Sequence, residues 1–180
     1  MATTSFTHVI GDGPSLNYAA TPRSNAAAYA AIVAATLATA VVGSLASLNA
    51  PDFYAQLTSP AWAPPAWLFG PAWTLVFTMM ALAAVLAVRN SRSRPITPVL
   101  ALYGAQLVAN GLWSWLFFHW HLGAAAFVDS AIMLLLIAAT TLAFWRVRRV
   151  AGLLMLPYLA WVTFATALSY TMWRLNPSVL

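Results

Sequence analysis

Apolar residues occur along this chain in five long runs, and short polar or charged segments separate the runs. Each run reaches the length of about 20 residues that a helix needs to cross the hydrocarbon core of a bilayer. The pattern therefore predicts an all-α integral membrane protein, built as one bundle of five transmembrane helices. The predicted helices cover residues 26–48, 66–88, 97–118, 122–145 and 150–173.

The residues before the first run, 1–25, are small, polar and weakly charged, and they include two prolines and two glycines. This composition predicts a disordered tail. The run that follows is long for the core of a signal peptide, and only Arg23 precedes it. We therefore assign this run to a single membrane domain, residues 26–176, with cleavage near Ala46 as the alternative.

The segment 59–74 combines four prolines with three tryptophans at the start of the second run. Proline has a fixed φ and no N–H group, so the first three of these prolines should prevent a helix before about Pro65. Pro71 is predicted to lie inside the following helix and to bend it or loosen one turn. The segment is thus predicted to be a stiff, aromatic approach to a membrane helix, suited to binding a flat apolar ligand.

Polar side chains inside the third run form a stripe, because they are spaced three and four residues apart: Tyr103, Gln106, Asn110 and Trp113. On a helix such a stripe must face the interior of the bundle or a cavity. It either supplies hydrogen bonds between helices or lines a ligand cavity. The sequence leaves both interpretations open.

Asp129 is the one acidic residue inside a predicted helix, about 10 Å along the fourth one. At this depth it needs a partner across the bundle, such as Asn110 or Tyr103, or it must be protonated. A proton relay would need a second titratable group at depth, and none is evident in the sequence. We therefore predict a structural or ligand-facing role.

Most of the tryptophans lie near predicted helix ends, where the membrane interface favours them. Trp73 and Trp161 instead lie about two and three turns inside their helices, so each is either core packing or the wall of a ligand site. His119 and His121 lie two residues apart in a turn, with no acidic residue nearby, so they are predicted to be interfacial side chains. No metal site is predicted.

Composition and charge agree with a membrane protein. Hydrophobic residues make up 62% of the chain and charged residues 6%, whereas about 25% of the residues in a soluble domain are charged. The chain has no cysteine, which excludes disulfides and thiolate-bound metals. The arginines lie between apolar runs rather than on a polar surface, so a nucleic-acid partner is not predicted.

The arginines also predict an orientation. Seven of the eight lie in the tail or in the second and fourth connections, which share one side of the membrane, and Arg174 lies on the other side. The positive-inside rule then predicts a cytoplasmic N-terminus and cytoplasmic arginine-rich loops in a bacterial cell membrane. An outer-membrane location is the alternative, and it would break this inference.

Small residues repeat every four positions along the third predicted helix, at Ala101, Ala105 and Ala109. Such a face lets two helices approach closely, so it predicts a homodimer through this helix. The sequence contains no nucleophile–base pair, no paired carboxylates and no phosphate-binding loop. Residue patterns alone therefore predict a helical bundle with an aromatic, partly polar interior, and they do not name its ligand.

Three segments carry distinctive motifs: P-A-W-A-P-P-A-W-L-F-G-P-A-W at 60–73, A-Q-L-V-A-N-G-L-W-S-W-L-F-F at 105–118, and L-P-Y-L-A-W-V-T-F-A-T-A-L-S-Y-T-M-W-R-L-N at 156–176. In this order and spacing they resemble the TspO/translocator protein family, which includes the tryptophan-rich sensory proteins and the peripheral-type benzodiazepine receptors. The resemblance covers about residues 26–176 and suggests a bacterial member.

The resemblance implies a five-helix bundle, often dimeric, with a pocket between the helices under a lid formed by the first loop. Members bind porphyrins, so protoporphyrin IX or haem is the expected ligand, and no cofactor is required. Sterols and synthetic ligands of the benzodiazepine-site class are further ligands in the family. The implied role is a receptor or sensor linked to tetrapyrrole regulation or transport. A photo-oxidative porphyrin-degrading enzyme and a transporter of tetrapyrroles or lipids are the alternatives.

Several candidate site residues are taken from the family motifs that this sequence matches. Trp73 and Trp161 match two pocket tryptophans implicated in light-dependent porphyrin breakdown in some bacterial members, and they are the candidate photochemical residues. The whole predicted ligand-binding set comprises Tyr54, Trp62, Trp73, Tyr103, Gln106, Asn110, Asp129, Trp161 and Ala165. The sterol motif of animal members is matched by Leu168, Tyr170 and Arg174. The chain departs from the family at Phe53, where tryptophan is common, and at Ser169, where asparagine is frequent.

Overall fold

The computed structural model describes residues 25–91 and 95–180, and this part of the chain is helical, with no strand. The elements are α1 (Ala26–Ala46), α2 (Ala50–Gln56), a 3-10 turn (Ala66–Leu68) that continues into α3 (Phe69–Asn90), α4 (Thr97–Ser114), a π turn (Trp115–His119), α5 (Gly123–Val147) and α6 (Arg149–Leu175). The predicted tail lies outside the described residues, apart from Asn25.

Four helical segments are long and apolar enough to cross a membrane: α1, the 3-10 turn together with α3, α5 and α6. α4 is not among them, because polar residues such as Gln106 and Asn110 interrupt its apolar sequence. The prediction of an all-α membrane protein is confirmed. The fifth span stays a prediction.

The prolines before α3 determine where that helix begins. Pro65 is extended, and the 3-10 turn starts directly after it, where the Leu68 N–H donates to the Pro65 carbonyl at 3.0 Å. The predicted position of Pro71 in the interior of the helix is wrong, which removes the reason for expecting a bend there. This residue lies in the first turn of α3, where the missing N–H would have no helical partner anyway. Pro157, in contrast, does lie inside a helix, α6, and no effect of this proline was predicted.

Two local elements were not predicted. The first loop contains the short helix α2, which begins with a proline in its first turn and buries Phe53. The third long helix does not end regularly at residue 118, because α4 changes into the π turn, where the Trp120 N–H donates to the Trp115 carbonyl at 2.8 Å. His121 follows with a positive φ of 55°, which turns the chain into α5.

α5 and α6 form an antiparallel hairpin with two close contacts. A Cβ atom added at Gly152 would lie 2.7 Å from the Trp145 ring, and one added at Gly123 would lie 2.9 Å from the Trp173 ring. Only glycine allows the hairpin to pack this tightly at both ends. The larger apolar cluster includes fully buried Met80, Ile137, Phe144, Met155 and Val162.

Hydrogen bonds identify the two ends of the bundle. At one end, Arg148 after α5 donates to the side chain of Asn90 at the end of α3, at 3.0 Å. At the other end, Asn176 after α6 bonds to the backbone of Thr58 in the first loop. A second apolar cluster lies at this end: Phe53, Leu57, Phe117, Ala126, Leu168 and Met172. The first loop is therefore packed onto the bundle.

Candidate ligand cavity

A cavity of about 570 Å³ lies between α1, α3, α4 and α6, at the end that carries α2. Sites for small molecules usually measure about 300–1,000 Å³, so this volume is in the normal range. Most of the wall is apolar. Its aromatic side chains are Tyr54, Phe69, Trp73, Phe77, Trp113, Phe118 and Trp161.

Aromatic rings hold one another in fixed orientations on the α3–α6 side of the cavity. The rings of Trp73 and Trp161 are perpendicular, at 88°, with centroids 6.4 Å apart. Phe69 meets Trp161 at 5.9 Å and 70°. Edge-to-face contacts of this kind are preferred between aromatic rings, so the two tryptophans form a rigid corner rather than two loose side chains.

A buried hydrogen-bond network supports the polar part of the cavity wall. The Tyr158 hydroxyl donates to Gln106 Oε1 at 2.8 Å and accepts from Asn110 Nδ2 at 2.8 Å. Tyr158 and Gln106 are fully buried, whereas Asn110 lines the cavity. This contact uses one of the two N–H groups of Asn110, so the amide keeps an N–H and a carbonyl oxygen that could bond a ligand.

The polar stripe of α4 serves two purposes along its length. Tyr103 is buried, and its hydroxyl forms a 2.6 Å hydrogen bond with Thr36 of α1. Tyr103 and Gln106 thus join helices, and neither lines the cavity. Asn110 and Trp113 do line it. The stripe therefore supplies hydrogen bonds between helices at Tyr103 and Gln106, and it lines the cavity nearer the end of α4.

The lid consists of α2 and the segment 57–65. Tyr54 lines the cavity from above, and its hydroxyl donates to the Pro64 carbonyl at 3.2 Å. Burial raises the pKa of Tyr54 above its ordinary value, so the hydroxyl stays a donor. On the other face of α2, Phe53 stacks on His121 with centroids 4.2 Å apart. This contact holds α2 against the turn before α5.

Besides Tyr103 and Gln106, two more predicted site residues lie away from the cavity. Trp62 is 49% exposed and packs edge-on against Phe164 at 5.7 Å. Asp129 is 8% exposed, and its Oδ2 atom has no hydrogen-bond partner within the described chain. The suggested partners do not reach it, because Asn110 bonds to Tyr158 and Tyr103 to Thr36. Ala165, Trp73 and Trp161 do line the cavity.

The residues of the sterol motif diverge in space. Leu168 is buried in the second apolar cluster, whereas Tyr170 is 45% exposed and contacts Phe127 at 5.1 Å. Arg174 lies over the Trp173 ring at 5.9 Å. Of the three motif residues, Tyr170 and Arg174 therefore lie on the outer surface of α6, and Leu168 does not.

The alanine stripe of α4 is also divided. Ala101 and Ala105 are exposed, but Ala109 is 8% exposed and packs in the larger apolar cluster. The stripe is therefore not one continuous outer face. The neighbouring exposed residue is Val108, at 72%.

Sequence reasoning missed most of the α1 side of the cavity. Small residues line it at intervals of four, namely Thr39, Gly43 and Ser47. That spacing places them on one helix face and is the signal that could have identified them. On α4, Ser114 lies close to this face, since a Cβ added at Gly43 would be 3.2 Å from its Oγ.

Neither histidine of the α4–α5 turn is placed as a metal ligand. His119 packs edge-on against Trp115 at 4.8 Å, and His121 is stacked on Phe53. Across residues 25–91 and 95–180, no group of three His, Asp or Glu side chains could hold a metal ion.

Comparison with known proteins identifies the family. The model of the TspO/MBR family matches residues 30–174. The chain is 42% identical to the tryptophan-rich protein TspO of Chlorobaculum tepidum over 127 residues, which are 69% of this chain and 80% of that protein. It is 39% identical to the tryptophan-rich sensory protein of Cereibacter sphaeroides over 150 residues, 83% of this chain and 92% of the relative. Human translocator protein is 36% identical over 127 residues, 69% and 75% of the two chains. The chain therefore belongs to the TspO/MBR family.

Proposed function

We propose that this protein is a membrane receptor or sensor that binds a porphyrin such as protoporphyrin IX in the cavity under α2. The observation that carries this proposal is the perpendicular pair Trp73 and Trp161 at the wall of a cavity of about 570 Å³. A flat macrocycle can stack on one indole while the edge of the other limits its position.

The rest of the wall suits the same class of ligand. A porphyrin is apolar over its faces and polar at its centre and at its two carboxylates. Phe69, Phe77 and Trp113 supply apolar surface, and Asn110 supplies one oriented amide. The names of two relatives, sensory protein and translocator protein, agree with a role in sensing or moving such a ligand.

Binding is tested by titrating the purified protein with protoporphyrin IX in the dark and following tryptophan fluorescence. We expect saturable quenching at micromolar or lower concentration, because both cavity tryptophans would lie against the macrocycle. Haem and a sterol serve as competing ligands in the same assay. Quenching no greater than that of a detergent blank would contradict the proposal.

A second candidate function is light-dependent porphyrin degradation. It is favoured by the position of Trp73 and Trp161, since two indoles at one cavity wall could exchange electrons with an excited macrocycle. Such chemistry needs no acid–base residues. A third candidate, transport of tetrapyrroles or lipids, is tested by flux into proteoliposomes and fails if flux is independent of the protein.

We also propose that α4 with its π turn is the fifth transmembrane span. Residues 97–119 form one continuous helical rod, which at about 1.5 Å per residue matches the hydrocarbon thickness of a bilayer. The rod is joined to α1 by the hydrogen bond between Tyr103 and Thr36. Its polar residues face the bundle rather than lipid, which makes such a span tolerable.

The proposed orientation has the arginine-rich end in the cytoplasm. The contact between Arg148 and Asn90 brings the end of α3 beside the α5–α6 turn. Arg89, Arg146 and Arg149 lie at this same end, and Arg174 lies at the other. By the positive-inside rule the lid then faces away from the cytoplasm.

We also propose that the protein forms a homodimer through α4, where Ala101 and Ala105 are exposed.

A further inference from the structure

Among the residues that the structure describes, the exposed part of the cavity wall lies on one side. The lining residues that are exposed at the surface all lie on α1, the start of α2, the 3-10 turn or α3: Ser44, Pro51, Ala66, Gly70 and Thr74. The lining residues of α4, the π turn and α6 are buried or half-buried. The opening is therefore a lateral window between α1 and α3.

The surface around this window is apolar. Val41 and Leu45 of α1 and Leu75 of α3 are 57%, 56% and 57% exposed. Both helices belong to the segments able to cross a membrane. Exposed side chains on membrane-spanning helices are expected to face lipid, so the window would open onto the bilayer rather than onto water.

Two hydroxyl groups beside the window, those of Thr74 and Ser47, do not require water. Thr74 Oγ1 donates to the Gly70 carbonyl at 2.9 Å, and Ser47 Oγ donates to the Gly43 carbonyl at 2.8 Å. Each hydroxyl is thus satisfied within its own helix, which is how serine and threonine are accommodated in apolar surroundings. A lipophilic molecule can pass without stripping water from them.

The end of the cavity that would face water is covered instead. α2 lies over it, with Phe53 buried and stacked on His121. The segment after α2 is tied down by Asn176, which bonds to the backbone of Thr58. A ligand arriving from water would have to break these contacts, whereas a ligand in the bilayer meets an open window.

Gly70 sets the width of the window. It is exposed and lines the cavity, and a Cβ added there would meet no atom within 4 Å. A larger side chain at this position can therefore occupy the opening without disturbing the packing of α3. Gly104 of α4 also has free space around an added Cβ, but it does not line the cavity. It provides a matched control.

We propose that ligands reach the cavity sideways from the bilayer through the window between α1 and α3. The site therefore selects compounds that already partition into the membrane, and a compound that stays in water is a poor ligand by this route. The inference rests on the proposed function only for the identity of the ligand, because the route itself can be tested without a porphyrin.

The route is tested by labelling a cysteine inside the cavity. The chain has no cysteine, so Ala165→Cys introduces a single thiol on the cavity wall. In proteoliposomes we expect an uncharged, lipophilic maleimide to label this thiol faster than a charged maleimide confined to water. Adding Gly70→Leu should slow the lipophilic reagent by about tenfold, equivalent to about 1.4 kcal/mol in the barrier. Gly104→Leu should leave the rate unchanged.

Equal labelling by the two reagents, or no slowing by Gly70→Leu, would overturn the proposed route. If Ala165→Cys fails to fold, Thr39→Cys on the opposite wall allows the same measurement. A companion experiment mixes the protein with vesicles that contain protoporphyrin IX and follows the quenching over time. Gly70→Leu should slow both the association and the dissociation of the porphyrin, and Gly104→Leu should change neither rate. Absent quenching in the unaltered protein would contradict the proposed function and leave the labelling result standing.

Discussion

The side-chain amide of Asn176 forms hydrogen bonds with both the N–H and the carbonyl group of Thr58. Asn176 Oδ1 accepts from the Thr58 N–H at 2.8 Å, and Nδ2 donates to the Thr58 carbonyl at 3.0 Å. Nδ2 also donates to the Met172 carbonyl at 2.8 Å. One side chain after the last helix thus holds the first loop against the bundle and closes the cavity at that end.

Asn176→Ala should release the lid. It removes both hydrogen bonds to exposed Thr58, each of which contributes about 0.5–1.5 kcal/mol. We expect faster proteolysis within residues 57–65 and a faster dissociation of bound ligand. Limited proteolysis and stopped-flow fluorescence measure these two effects.

Asn49→Ala is the control for the lid prediction. Asn49 precedes α2, and its side chain makes no capping hydrogen bond, so its removal should leave both rates unchanged. If Asn176→Ala is cleaved and releases ligand at the rate of the unaltered protein, the contact with Thr58 does not hold the lid.

Tyr158→Phe should destabilise the bundle and weaken ligand binding together. Its hydroxyl joins Gln106 to Asn110, so the change leaves two buried amides without this partner. Hydrogen bonds between membrane helices contribute about 1–2 kcal/mol, and we expect a loss of this size in the free energy of unfolding. Asn110 also loses its orientation toward the cavity, so affinity should fall. Thermal unfolding and ligand titration measure the two effects.

Tyr170→Phe is the matched control, because Tyr170 is 45% exposed and contacts its neighbours through its ring. It should change neither stability nor affinity. An unchanged melting temperature in Tyr158→Phe would show that the network contributes nothing to stability.

Trp73→Phe and Trp161→Phe should separate binding from photochemistry. Each change keeps an aromatic ring at the cavity wall, so binding in the dark should weaken by roughly 0.5–1.5 kcal/mol, the size of a ring contact. If the indoles react with the excited macrocycle, the light-driven loss of the porphyrin absorption band should slow strongly in either variant. A light–dark titration measures both quantities.

Trp67→Phe is the control for this experiment, because Trp67 is 70% exposed and does not line the cavity. Porphyrin loss in light that continues unchanged in both cavity variants would remove Trp73 and Trp161 from any photochemical role. That result would not contradict the proposal that the protein binds a porphyrin in the dark.

Gly152→Ala should loosen the α5–α6 hairpin. The added Cβ would lie 2.7 Å from the Trp145 ring and 2.9 Å from its Cα, so the backbone itself must move. Overpacking of this kind costs about 1–3 kcal/mol. Thermal unfolding in one detergent measures the loss.

Gly104→Ala should have the opposite effect. No atom lies within 4 Å of an added Cβ at this position, and alanine is favoured over glycine inside a helix by about 0.5–1 kcal/mol. Equal stability of the two variants would show that the contact between Gly152 and Trp145 is not tight.

The sequence by itself determined the class of the protein and the approximate position of its long helices. Apolar runs of membrane-spanning length are a local property, and so is the restriction that Pro65 places on the start of α3. The sequence also identified Trp73, Asn110, Trp161 and Ala165, all of which line the cavity. Motifs that preserve order and spacing carry this information without coordinates.

Only the tertiary structure decided how the polar stripe of α4 is divided and what closes the cavity. Gln106 and Asn110 are neighbours on one helix face and both bond to Tyr158, but only Asn110 also lines the cavity. The contact between Asn176 and Thr58 joins residues 118 positions apart. The cavity likewise depends on how α1, α3, α4 and α6 pack against one another. These features arise from the packing of whole helices, and the periodicity of a single helix does not encode them.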